Sequence, residues 1–125
     1  MNKKFGTVLN CIDGRVQIPV INWMKENFAL DYVDSITEPG VDKVLSQGEF
    51  ADIDNLREKV MISINAHNSN VVGIVGHFNC AANPVSDLRH FYDIVKSTYV
   101  IKSWNLPIKV VGLWVDEYFY VHVIM

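Results

Sequence analysis

Val71-Val72-Gly73-Ile74-Val75-Gly76 is an unbroken apolar run that ends in His77-Phe78-Asn79-Cys80. Its β-branched residues and short length favour a strand, and the absence of apolar/polar alternation places both faces in the interior of a parallel sheet. Parallel neighbours require crossovers, so helices are expected on either side of this run.

Ile53, Leu56, Val60 and Ile64 recur at helical spacing ahead of it, from an Asp52 cap to about His67, and Asn68-Ser69-Asn70 breaks that helix. Behind it, Asn83-Pro84 supplies an N-cap followed by proline at the first helical position. Val85, Leu88, Tyr92, Val95 and Tyr99 then form the apolar stripe of a long helix.

Further out, Phe5 to Asn10 reads as a strand, and Ile18, Ile21, Met24 and Phe28 mark a helix that begins near Pro19. Tyr32 to Ile36 is a second short strand, stopped by Glu38-Pro39-Gly40. Val41 to Asp52 reads as a helical turn with a loop at Gln47-Gly48-Glu49. Lys109 to Trp114 is another buried strand. Tyr118 to Ile124 is a last one, joined to it across Val115-Asp116-Glu117 as a hairpin. The order predicts a single α/β domain over residues 1–125: a mostly parallel sheet between two layers of helices, with a C-terminal antiparallel edge hairpin.

Composition agrees. A chain of 125 residues, half of them hydrophobic, can bury roughly two thirds of its unfolded surface. Eleven Lys and Arg stand against 14 Asp and Glu, for a net charge of -3, and the basic residues are scattered. No basic stripe exists for a nucleic-acid backbone, so nucleic acid is excluded as an expected partner. The apolar stretch at the N-terminus is interrupted by Gly6 and ends at Asn10, too short for a signal-peptide core. No stretch approaches the ~18 apolar residues of a membrane span. Cytoplasmic residence is the expectation, and there two cysteines are more often metal-binding or catalytic than bridged to each other.

Both cysteines follow strands. Cys11-Ile12-Asp13-Gly14-Arg15 comes directly after the first, and His77-x-x-Cys80 directly after the central one. Ligands in open α/β sheets bind beyond the carboxyl ends of the strands, so the two segments converge on one place. Two thiolates and a neutral imidazole satisfy three tetrahedral positions of Zn²⁺. The thiolates neutralise the ion and weaken it as a Lewis acid, so a bound water needs help to ionise. Asp13 is the candidate helper, held ionised and aimed by Arg15. Two options stand for the fourth position: water, or Asp13 itself.

The five-position pattern Cys11-x-Asp13-x-Arg15 with Gly76-His77-x-x-Cys80 resembles the β-class carbonic anhydrases. The likeness implies zinc ligands Cys11, His77 and Cys80, an Asp13–Arg15 dyad, and reversible hydration of CO₂ to bicarbonate by zinc hydroxide. It also implies a homodimer or higher homo-oligomer with the site near a subunit interface. The sequence departs from the family in its shortness and in having no N-terminal helical arm. Ala81 and Ala82 stand where glycines are usual, and Thr37-Glu38-Pro39-Gly40 stands in place of an Arg-Asn-Ala-Gly turn. Metal binding survives these departures better than the substrate pocket does. Besides CO₂ hydration, the same scaffold admits a hydrolase of a CO₂-like electrophile such as COS or CS₂, or a non-catalytic zinc module.

The other histidines are assigned structural places: His67 at a helix C-terminus, His90 on the surface one turn after Asp87, and His122 in the last strand. Trp23, Trp104, Trp114 and the cluster Tyr118-Phe119-Tyr120 are expected to fill the core or a dimer interface.

Overall fold

The computed structural model describes residues 2–125. Its five strands are β1 (Phe5–Asn10), β2 (Tyr32–Thr37), β3 (Val71–His77), β4 (Lys109–Val115) and β5 (Val121–Val123). They form one sheet in the order β2-β1-β3-β4-β5, parallel throughout except for β5. β3 lies at the centre and every residue of it is buried, as an unbroken apolar run requires.

Helices lie on both sides. On one face α1 (Gln17–Phe28), entered through a short 3₁₀ turn at Gly14–Val16, packs Val20 and Met24 over Val8, Val71, Val75 and Leu113. On the other, α2 (Val41–Gln47), α3 (Phe50–His67) and α4 (Asp87–Lys102) cover Leu9, Val72, Ile74 and Val110. The α3 stripe points inward as its spacing predicts, with Leu56 and Val60 buried. No helix among the described residues is long and apolar enough to cross a membrane.

Four local expectations need correction. First, α4 does not begin at Asn83-Pro84. Ser86 is its cap, the hydroxyl accepting from the Arg89 N–H, while the Asn83 side chain is drawn into the interior. Second, its predicted stripe faces the wrong way: Leu88 is 78% exposed, Tyr92 and Tyr99 more than half, and the buried face is His90, Asp93, Ile94, Ser97, Thr98 and Ile101. His90 is therefore a core residue, not a surface one. Third, α3 starts at Phe50, earlier than Asp52; Phe50 is 81% exposed, so no apolar periodicity marks that first turn. Fourth, β5 is shorter than expected, because Asp116 turns the chain by accepting from the N–H groups of Tyr118 and Tyr120. Tyr118, Phe119 and Tyr120 are consequently exposed and not core, whereas Trp114 is buried.

Candidate metal centre

The carboxyl ends of β1 and β3 lie close together in the sheet, and the chain turns sharply after each. After β1, Asn10 governs the turn. Its fully buried amide donates to the Val16 carbonyl and its oxygen accepts from the Cys11 N–H, while the Gln17 amide donates to the carbonyls of Cys11 and Asp13. After β3, Asn79 takes a left-handed conformation (φ 57°), which asparagine tolerates, and so returns Cys80 beneath His77. Neither Asn10 nor Gln17 was singled out from the sequence. Both bond the backbone of the turn, and in sequence they carry only the ordinary signal of loop residues.

Cys11, His77 and Cys80 are all buried, and one potential ligand atom from each lies within 4.8 Å of the others. The two sulfurs are 4.0 Å apart and unbridged, about twice a disulfide bond length. A tetrahedral ion with Zn–S bonds of about 2.3 Å would separate its two sulfurs by about 3.8 Å, so the spacing suits such an ion. Nε2 of His77 is buried without a hydrogen-bond partner. Its Nδ1, 2.8 Å from the Phe78 carbonyl, donates there, which leaves Nε2 as a free lone pair in the cluster. A buried nitrogen left with an empty acceptor position costs on the order of 1–3 kcal/mol, and a cation removes that cost.

Electrostatics point the same way. The Cys80 thiol donates to Cys11 and, against the opposing effect of burial, holds the Cys11 thiol down to about 3, helped by His77 and by the N–H groups of Gly40 and Asp13. The same contact pushes Cys80 well above the ordinary thiol range, with burial adding to it. Burial pulls His77 down, but the Cys11 sulfur outweighs that and leaves the imidazole pKa raised. The pair thus releases one proton readily and keeps the other until a cation replaces it.

Asp13 lies outside this three-residue cluster and faces Arg15. The guanidinium donates through Nε (3.0 Å to Oδ1) and NH2 (2.6 Å to Oδ2), a bidentate grip that lowers the carboxyl to about 2. Arg15 also reaches the Asn79 carbonyl at 3.3 Å, so one side chain joins the two turns. Against Cys11 is a cavity of about 160 Å³, lined also by Ile12, Asp13, Pro39, Ala81 and Ala82. Its walls are apolar except at Asp13. Pro39 belongs to the Thr37-Glu38-Pro39-Gly40 turn, and that turn brings no cation to the cavity.

Two solved structures share the fold. A carbonic anhydrase from Glaciozyma antarctica superposes with a TM-score of 0.64 at 15% identity, over 99% of this chain and 83% of that one. The β-carbonic anhydrase isoform I of Trichomonas vaginalis gives 0.62 at 16%, over 100% and 86%. No curated protein sequence matches the chain. A family model described as "Putative carbonic anhydrase" matches residues 1–125. With its sheet order, its Cys-His-Cys cluster and a match along its whole length, the chain belongs to that carbonic anhydrase family.

Proposed function

We propose that the chain is a zinc-dependent lyase that hydrates CO₂ reversibly to bicarbonate, with Cys11, His77 and Cys80 as metal ligands and Asp13 and Arg15 as the catalytic dyad. The observation that carries the reading is the buried Nε2 of His77, its other nitrogen already spent on the Phe78 carbonyl, set beside two sulfurs at tetrahedral spacing with a small apolar cavity against Cys11.

Zinc held there supplies the Lewis acidity that makes a hydroxide nucleophile available near neutral pH. The residues do the rest. Ile12, Pro39, Ala81 and Ala82 offer a small linear molecule an apolar seat and no competing hydrogen bonds. Asp13, with its carboxyl lowered to about 2, is too weak a base to take a proton at neutral pH; it accepts a hydrogen bond and so orients the nucleophile. Arg15 holds that carboxylate in place. Water and CO₂ give bicarbonate and one proton, which leaves to solvent past the partly exposed Asp13. The apolar lining favours a second reading on the same scaffold, COS or CS₂ as the electrophile.

Stopped-flow CO₂ hydration on zinc-loaded protein tests the first reading. A rate above buffer is expected, and stoichiometric zinc with no rate overturns it; COS and CS₂ assayed beside CO₂ decide between the electrophiles. Asp13→Asn is expected to keep zinc and lower kcat/KM by on the order of 10². Unchanged activity in that variant would remove Asp13 from the catalytic machinery, and zinc bound without any rate in the wild type would leave the metal as a staple of the fold.

The acid limb of activity is predicted to follow the ligands and not the dyad. Asp13 has a depressed pKa, so its ion pair with Arg15 is complete above the ordinary carboxylate range and is lost only as pH falls through about 2. His77, with a raised pKa, takes up its proton at higher pH and gives up the metal. Zinc content measured from pH 8 to pH 4 should fall together with the rate; a rate that fell while zinc stayed bound would contradict this assignment.

We propose also a homodimer or higher homo-oligomer, which the resemblance implies, and cytoplasmic residence, which the sequence leads us to expect. The exposed aromatics of the β4–β5 turn supply apolar surface for such an assembly.

A further inference from the structure

Beneath the metal centre lies a second polar cluster that takes no part in the chemistry above. Asp42 is 1% exposed, Asn83 and His90 likewise, and Asp93 is fully buried. Asn83 Nδ2 donates to Asp42 Oδ1 and Asp93 Oδ2, both at 3.1 Å. The other oxygen of Asp42 is 2.6 Å from His90 Nδ1, which donates to it, and Asp42 Oδ1 also accepts from the Lys43 N–H. Arg89 Nε covers the second oxygen of Asp93 at 3.0 Å.

This cluster reaches each of the three ligand-bearing segments. Two residues before Asp42, the Gly40 N–H faces the Cys11 sulfur, and Gly40 itself packs on the Ala82 backbone so closely that a Cβ would come within 3.1 Å of it. Asn83, clasped by Asp42, presents its own N–H to the Cys80 sulfur together with that of Ala82. Gly76, whose successor is His77, has no side chain because a Cβ there would lie 2.7 Å from Asp42 Oδ2. One buried carboxylate therefore clasps the loop carrying Cys80, abuts the residue preceding the imidazole, and sits two residues from the Gly40 donor to the Cys11 thiolate.

We propose that Asp42, which touches neither the ligands nor the cavity, is the positioning residue of the metal centre, acting through its clasp on Asn83 and its contacts with the segments at Gly40 and Gly76. The proposal rests on the reading of Cys11, His77 and Cys80 as metal ligands. Outer hydrogen bonds of this kind fix ligand orientation, and losing them costs about 10–100-fold in metal affinity. Asp42→Asn is the conservative change. Its carbonyl still accepts from Asn83 and Lys43, and its amide can donate to His90 once that ring changes tautomer.

The test is zinc affinity by chelator competition together with the absorption spectrum of the Co²⁺-substituted protein, on the full chain. Wild type and Asp42→Asn are expected to agree within about threefold and share one spectrum. Asp42→Ala and Asn83→Ala, which open the clasp from opposite sides, are expected to bind zinc about 10–100-fold more weakly with a shifted Co²⁺ spectrum. Ile101→Val, in the core away from the site, destabilises without touching the clasp and should leave both readouts unchanged. If Asp42→Ala does not fold, Asn83→Ala carries the comparison. Alanine variants that bind zinc like wild type, with the same spectrum, overturn the proposal while leaving the metal reading intact. A wild-type chain that takes up no zinc overturns both.

Discussion

Helices α1 and α4 pack on opposite faces of the same strand, and they meet it on different terms. α1 lies on its face with Val20 and Met24 inward, an apolar surface against an apolar surface. α4 turns a largely polar face inward and leaves Leu88, Tyr92 and Tyr99 to solvent. Hydrophobic patterning sets the rotation of the first helix. The rotation of the second is set by its hydrogen bonds: His90 to Asp42, Asp93 to Asn83, and the Ser97 hydroxyl to the Asp42 carbonyl. Burying these groups is tolerable because each is satisfied, and satisfying only some of them would cost more than an apolar surface. The site needs that polar platform beneath its loops, and the helix gives up its apolar stripe to supply it.

Two glycines of β3 allow the contrast to be broken deliberately. Gly76 faces α4, where a methyl group would meet Asp42 Oδ2 at 2.7 Å and Ile94 at 2.9 Å. The carboxylate cannot retreat, being held by Asn83, His90 and Lys43. Gly76→Ala is expected to cost about 3 kcal/mol in denaturant unfolding, at the upper end of overpacking. Gly73 faces α1, where the nearest atom is the Met24 sulfur at 3.1 Å. That side chain is flexible and can move aside, so Gly73→Ala should lie within about 1 kcal/mol of wild type. Equal costs at the two positions would mean that the α4 interface is no more rigid than the α1 interface.

The same contrast explains what the sequence disclosed. β1, β3 and the three ligand candidates are legible because each depends on local signals: an apolar run, then a ligand-type residue at the strand end. The α1 face was legible only in part: Met24 is buried and Phe28 packs against the core, but Ile18 of the same stripe is 70% exposed, Ile21 is half-buried, and the stripe omits the fully buried Val20. α4 was not. Its apolar residues do recur at helical spacing, but hydrogen-bond partners distant in sequence decide which face turns inward, and spacing carries no trace of them. Asn83-Pro84 misled for a related reason. An asparagine before a proline has the form of a cap, yet this one spends its amide on Asp42 and Asp93, with Asp42 forty-one positions away. Asp42 lay in a stretch whose local pattern was ambiguous, and only the tertiary structure shows what its carboxylate holds.

The smallest expected effect concerns the outward stripe itself. If α4 were oriented by its apolar spacing, truncating Leu88 would open the core; with 78% of it exposed, Leu88→Ala is expected to change stability by no more than about 0.5 kcal/mol. Ile94, fully buried on the opposite side of the helix against Gly76 and Gly112, should cost about 2–5 kcal/mol when cut to alanine. The measurement is denaturant unfolding of both variants at several protein concentrations. A Leu88→Ala cost that stays small at every concentration leaves the stripe facing solvent, and the inward face, its hydrogen bonds together with Ile94 and Ile101, then accounts for the rotation of α4. A cost that grows with concentration would mean that a second copy covers Leu88, and the rotation would then serve two interfaces at once: hydrogen bonds to the site on one side and apolar burial against a partner on the other.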